Sequence, residues 1–172
     1  LCPWVGAEEM SPAERAKKAE ELFQEGYYYH QIGRYEEAIV VYRRSLELKR
    51  TAKTHTFLGW SLGHLGKLDA AIAQCKKAIA LDPDYGNPYN DIGVYLMQKK
   101  LYDEAIPYLK KAMKAKNYCC PFFPHHNLGS IYAVRGEYEK ALREFKEALK
   151  LKPDFLPAQR AIELIRSQLQ AT

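Results

Sequence analysis

Gly26…Gly33-Arg34-Tyr35-Glu36-Glu37-Ala38-Ile39 is a phrase that returns three times further along the chain. It reappears as Gly59…Gly66-Lys67-Leu68-Asp69-Ala70-Ala71-Ile72 and as Gly93…Lys100-Leu101-Tyr102-Asp103-Glu104-Ala105-Ile106. The last copy is Gly129…Gly136-Glu137-Tyr138-Glu139-Lys140-Ala141-Leu142. The leading glycines stand 33, 34 and 36 residues apart. A fixed period of that size marks a stacked array of supersecondary units, each too small to bury its own apolar face.

Working outward, each column has a physical reading. The leading glycines fall in the first helix of a pair, where glycine costs about 1 kcal/mol against alanine. Their return at one place implies close backbone approach, with Ala38, Ala71, Ala105 and Ala141 as the matching small surface. Gly33, Gly66 and Gly136 fall where the first helix stops, the place for a left-handed cap. Lys100 takes that place in the third copy, so either its loop differs or its backbone is strained. Tyr35, Leu68, Tyr102 and Tyr138 open the second helices and are placed to pack back on the first. Ser45, Ala78, Ala112 and Ala148 form another small column. Pro83 and Pro153 punctuate the ends of two copies, since proline cannot continue a helix. Arg50 and Asn117 replace that proline in the other two, which predicts less sharply broken junctions there.

The periodicity predicts helices over 11–32, 35–49, 52–65, 68–81, 86–99, 102–116, 121–135 and 138–151. Ser11-Pro12-Ala13-Glu14 marks the first start as a capping box with proline at the first helical position. A ninth helix over 156–170 carries Ala158, Ile162, Ile165 and Leu169 on one stripe, the pattern of a cap with one face in water. Residues 1–9 show no period, and Trp4 is the one residue there able to tie them down.

Over about residues 19–155 the chain resembles the tetratricopeptide repeat, a helix–turn–helix unit of about 34 residues. The resemblance implies an all-α fold, a right-handed superhelical solenoid of four helix pairs closed by a capping helix. The units run over 19–51, 52–85, 86–121 and 122–155, between an N-terminal segment (1–10) that is flexible or tag-like and a C-terminal cap and tail (156–172). It also implies that first helices line a concave groove that receives a peptide or helix of a partner protein, without catalysis. Helical phase then selects groove residues: Phe23, Tyr27 and His30 in the first unit, and Thr56 and Trp60 in the second. Asn87, Asn90 and Val94 follow in the third, and Phe123 and His126 in the fourth. Apolar surface grouped this way marks contact sites, with Tyr and Trp favoured as anchors, and Asn87 and Asn90 have the groups to bond an extended peptide's backbone. The bland alternative buries some of these aromatics against the neighbouring unit.

Family members that grip the acidic C-terminal tails of heat-shock chaperones use lysines, an arginine and asparagines on three successive first helices. In one register the corresponding places here hold Phe23, Tyr27, Phe57, Asn87 and Asp91, and in the next Thr56, Trp60, Asp91, Phe123 and Asn127. Neither set makes a cationic clamp, and Asp91 would repel a carboxylate. A chaperone tail is therefore not the expected partner.

Rival chemistries have weaker support. Cys119-Cys120 with His125 and His126 offers zinc's preferred ligand types, but adjacent cysteines seldom point at one ion and structural sites favour two to four intervening residues. No metal or cofactor is expected. The thiols lack a cationic setting that would activate them, and Cys75 shares an interior column with Tyr42, Leu109 and Phe145. Basic pairs Arg43-Arg44, Lys76-Lys77 and Lys110-Lys111, with Lys146 and Lys150, could form a ridge for nucleic acid or anionic lipid. Carboxylates such as Glu36, Asp103 and Glu144 interleave on the same helices, which favours a plain solvated wall. No phosphate-cradling glycine loop or nucleophile elbow is present, so no catalytic residue is assigned and an enzyme is not expected. Self-assembly through the solenoid ends or the outer wall is the alternative to partner binding.

The bulk properties agree with a single array. The chain has 172 residues, 47% hydrophobic and 27% charged, with a formal charge of +5. That charge permits an anionic partner without requiring one. Four cysteines do not make a disulfide framework and fit reduced thiols. No run approaches the roughly 18 apolar residues of a membrane span, and no leader opens the chain, so a cytoplasmic location is the expectation. Leu1 in place of Met implies a processed or excised piece, with Met10 a candidate start behind added residues.

Overall fold

The computed structural model describes residues 10–170, which fall into two compact units meeting at Pro83 and Asp84. Among the described residues there are nine helices and no strand. The first unit holds α1 (Pro12–Gln31), α2 (Tyr35–Leu48), α3 (Ala52–His64) and α4 (Leu68–Leu81). The second holds α5 (Asn87–Gln98), α6 (Tyr102–Lys114), α7 (Phe122–Val134), α8 (Tyr138–Leu151) and α9 (Leu156–Gln170). These bounds differ from the periodicity-based ones by no more than two residues at an end. Trp4 and the rest of 1–9 lie outside the described residues.

Consecutive helices pair as antiparallel hairpins because the connecting turns are three residues long and end the first helix abruptly. Gly33, Gly66 and Gly136 make those turns at φ of 77°, 72° and 73°. Lys100 adopts φ 61° at the equivalent place, so the third copy keeps the same turn on a residue that is strained there. At the start of α1, Ser11 Oγ accepts from the Glu14 amide at 3.3 Å while the Glu14 carboxylate accepts from the Ser11 amide at 2.7 Å. Thr51 caps α3 in the simpler way, its hydroxyl accepting from the Thr54 amide at 3.0 Å.

Each hairpin closes on one small-against-large contact. A Cβ built on Gly93 would stand 2.5 Å from Leu109, one on Gly26 2.7 Å from the Tyr42 ring, and one on Gly129 2.8 Å from the Phe145 ring. On Gly59 it would stand 3.2 Å from Cys75 Sγ. The glycines therefore receive the interior column Tyr42, Cys75, Leu109 and Phe145. The alanines face them as well, through the Ala71 carbonyl 3.3 Å from a Cβ on Gly59 and the Ala105 carbonyl 3.7 Å from one on Gly93, with the larger side chain added to the expected small surface. Ala38, Ala71, Ala105 and Ala141 are wholly buried in their own right, beside the same seam. Ser45 is buried too, its hydroxyl donating to the Ala19 carbonyl at 2.7 Å.

The junctions are not softened where proline is missing. Only residues 49–51 separate α2 from α3, as abrupt a break as the others. Between α6 and α7 the irregular segment 115–121 clasps the start of α5: the Gly86 amide donates to the Asn117 carbonyl at 3.0 Å, and the Asn117 amide to the Asp84 carbonyl at 2.9 Å. Gly86 is obligatory in that clasp, because a Cβ on it would collide with the Tyr118 side chain. The two extra residues of this copy build the clasp.

Two outcomes are expected from this packing. Lys100→Gly raises stability by up to about 1 kcal/mol, relief of the left-handed backbone being partly offset by a freer unfolded chain. A thermal melt without an increase in Tm would contradict it. Gly93→Ala lowers stability by about 1–3 kcal/mol despite alanine's better helix propensity, and Gly59→Ala is the mildest change in its column; urea midpoints rank them.

Candidate functional site

In the first unit, α1 and α3 lie side by side and bring together a cluster of rings. Phe57 is its hub: its ring centroid lies 4.4 Å from Trp60, 5.2 Å from Phe23, 5.5 Å from Tyr27 and 6.5 Å from His30. Edge-on contacts dominate, as the ring quadrupoles favour. His30 Nδ1 lies 2.9 Å from Ser61 Oγ, and its ring stands 5.4 Å from both Tyr35 and His64. Burial, and then the neighbouring His64, holds the His30 pKa below the ordinary imidazole value. Tyr35 stacks flat on His64 at 4.5 Å, so the residue opening α2 packs on its own first helix and on the next.

The structure divides the residues selected from helical phase into two kinds. Phe23 is 3% exposed, sealed by Tyr42 and Phe57, with Lys53 Nζ 3.9 Å above its ring. Thr56 is wholly buried, its hydroxyl donating to the Ala52 carbonyl at 2.9 Å. Neither presents a free surface. Tyr27 is 38% exposed, and Trp60 and His30 are half-buried on the same side.

The second unit repeats the division. Asn90 is buried and its Oδ1 accepts from Asn127 Nδ2 at 3.0 Å, so this carboxamide oxygen is committed within the protein. His126 packs on Phe145 at 5.4 Å and Phe155 at 5.2 Å; burial lowers its pKa, and Nδ1 has no hydrogen-bond partner. Asn87 and Val94 are half-buried, and Phe123 is 39% exposed, edge-on to Phe155 at 5.6 Å. The reason for the split is common to both units. The residue three before each leading glycine (Phe23, Asn90) meets the residue two before the next one (Phe57, Asn127). That column is consumed by repeat-to-repeat packing. The residue just after the glycine (Tyr27, Trp60, Val94) keeps an accessible edge.

Phe57 lies outside the groove set that helical phase selects. Its column holds Gln24, Asp91 and Asn127 in the other copies, and the lone aromatic among polar residues was the available signal.

The cysteine–histidine segment is not assembled as a ligand set. Cys119 and Cys120 place their sulfurs 3.0 Å apart, burial and the Cys119 contact push the Cys120 thiol up to about 11, and His125 Nδ1 is engaged by Glu144 at 2.8 Å. Among the described residues no group of three His, Cys, Asp or Glu side chains is placed to hold a metal ion, and no helix is long and apolar enough to cross a membrane.

Comparison with known proteins accords with this arrangement. Tetratricopeptide repeat models match residues 19–51, 52–85, 87–119 and 122–155. The TPR repeat-containing protein MJ1428 of Methanocaldococcus jannaschii is 32% identical over 146 residues, covering 81% of this chain but 24% of the relative's length. Among solved structures, PilF of Pseudomonas aeruginosa superposes with a TM-score of 0.84 at 23% identity, over 91% of this chain and 71% of PilF. YrrB superposes with a TM-score of 0.70 at 22% identity, over 84% of this chain and 74% of YrrB. Those two likenesses concern the fold alone. With the family's models matching in all four helix pairs, the chain belongs to the tetratricopeptide repeat family.

Proposed function

We propose that this chain is a non-catalytic protein-interaction module, a scaffold or adaptor that receives a peptide or helix of a partner on the faces of its first helices. The observation that carries the reading is the ring cluster of the first unit. Tyr27 and Trp60 keep accessible edges while Phe57 and Phe23 brace them from beneath. Large amphipathic rings held rigid before binding lose little entropy on contact, which is why such residues anchor interfaces. In the second unit Asn87, Val94 and Phe123 offer a matching mixture of amide and apolar edges. Phe23, Thr56 and Asn90 act as the supporting layer in this reading, and His30 and His126 as half-buried flanks. YrrB is described as having an unusual peptide-binding site, a precedent on the same fold.

A second reading, self-assembly, is favoured by the closing helix. Val134, Leu164 and Leu169 are 67%, 61% and 50% exposed. Val134 and Leu164 border a pocket of about 320 Å³ that Tyr138, Phe145 and Ala161 also line. Apolar side chains around a concavity suit the end of another helix.

Tyr27→Ala combined with Trp60→Ala is expected to abolish partner capture in an affinity pull-down while leaving helical circular dichroism unchanged. Truncating an anchor ring costs about 2 kcal/mol or more of binding energy. Undiminished capture by the double variant would move the site elsewhere. For the second reading, light scattering over a concentration series is expected to show association that Leu164→Asp removes; a monomer at every concentration rejects it.

A further inference from the structure

The second and fourth helix pairs carry the same histidine in opposite surroundings. His55 and His125 both stand four residues before the leading glycine, and each bonds through Nδ1 to the residue three beyond the alanine of its second helix. For His125 that residue is Glu144, at 2.8 Å, with Glu147 one turn further on. For His55 it is Gln74, also at 2.8 Å, and the residue one turn further on is Lys77. A neutral amide and a cation therefore replace two carboxylates.

Around His55 this makes a pocket of about 320 Å³ lined by Arg50, His55, Lys77, Ala80 and Leu81. Three of the five linings are basic and none is acidic. The acid nearest in sequence, Asp82, follows Leu81 and is not part of the wall. His55 is 7% exposed, so its ring is fixed by packing as well as by Gln74. Because Gln74 Oε1 can only accept, Nδ1 carries the proton of the neutral ring and Nε2 holds the lone pair. Burial first, and then the charges of Lys77 and Arg50, lower the His55 pKa, with the Gln74 bond opposing them. Positive charge beside an imidazole, in a wall without an acidic side chain, is the setting into which an anion fits.

We propose that Arg50, His55 and Lys77 form a receiving site for an oxyanion, the phosphate or carboxylate group of a ligand, and that occupation brings a proton onto His55 Nε2. The two exposed cations supply attraction, and the anion's charge stabilises the imidazolium they otherwise oppose. Binding therefore takes up a proton. Affinity rises as pH falls through the His55 pKa and weakens as His55 becomes neutral above it. The site is independent of the first-helix rings, so it stands or falls separately from the proposed partner surface.

Sulfate and acetate are the probes, since both stay essentially fully ionised between about pH 6 and 8. Imidazole resonances are titrated with pH in each salt and in chloride at matched ionic strength. The expected result is a saturable rise of the His55 pKa with one probe or both, while His125 behaves as it does in chloride. A response to sulfate alone assigns phosphate-like ligands and one to acetate alone assigns carboxylates. Lys77→Glu, which copies the fourth repeat at an exposed position, is expected to raise the His55 pKa without any probe and to weaken probe binding at least about fivefold. Arg50→Ala is expected to weaken it without changing the fold. A His55 titration indifferent to both probes, or a probe response that survives Lys77→Glu undiminished, overturns the proposal.

Discussion

The contact on which the structure depends is that between a helical glycine and the large side chain placed opposite it. Leu109 sits where a Cβ of Gly93 would be, and Tyr42 and Phe145 do the same at Gly26 and Gly129. The space freed by one missing methyl group lets two helices approach until their ridges interlock, and the gain in close packing outweighs glycine's poor helix propensity. The second pair reaches the same geometry with Cys75, a smaller residue, against Gly59. This gives the wholly buried Cys75 a packing role.

Once this seam is set, the rest of each pair follows. The turn must reverse the chain at once, which requires a left-handed residue at Gly33, Gly66, Lys100 and Gly136. The alanines beside the seam have no room to grow, being wholly buried in all four copies. The column three before the glycine then falls against the next first helix, where Phe23 meets Phe57 in one unit and Asn90 meets Asn127 in the other. One contact is apolar and the other is a hydrogen bond, but both fill the same space. What packing leaves undecided is the column just after the glycine and the outer edges of the helices.

That hierarchy explains what could be read from the residues alone. The helices, their pairing and the glycine turns were legible because they depend on columns that recur four times. The accessible rings were legible only in part. Helical phase places Phe23, Thr56 and Asn90 on the same face as Tyr27 and Trp60, yet cannot say how deep the neighbouring repeat reaches across that face. Phe57 escaped because its column is polar elsewhere, so a reading by columns averages away the exception. The clasp at Gly86 escaped for another reason: it depends on Asn117 and Tyr118, about thirty residues away and outside the recurring phrase.

Where the copies agree, the residues are already spent on the fold, and what is left to vary lies where they differ. The column after the glycine runs Tyr27, Trp60, Val94 and Ser130, from broad rings to a small hydroxyl that turns back to the His126 carbonyl. The surroundings of the equivalent histidines change charge, from Gln74 and Lys77 by His55 to Glu144 and Glu147 by His125. Neither difference alters the glycine seam on which every hairpin closes, although His55 and His125 each also bond across their own hairpin. A backbone repeated four times thus carries side chains free to vary in chemistry without a cost to the fold. The aromatic edges of Tyr27 and Trp60 and the basic pocket around His55 are two such differences, both in the first unit.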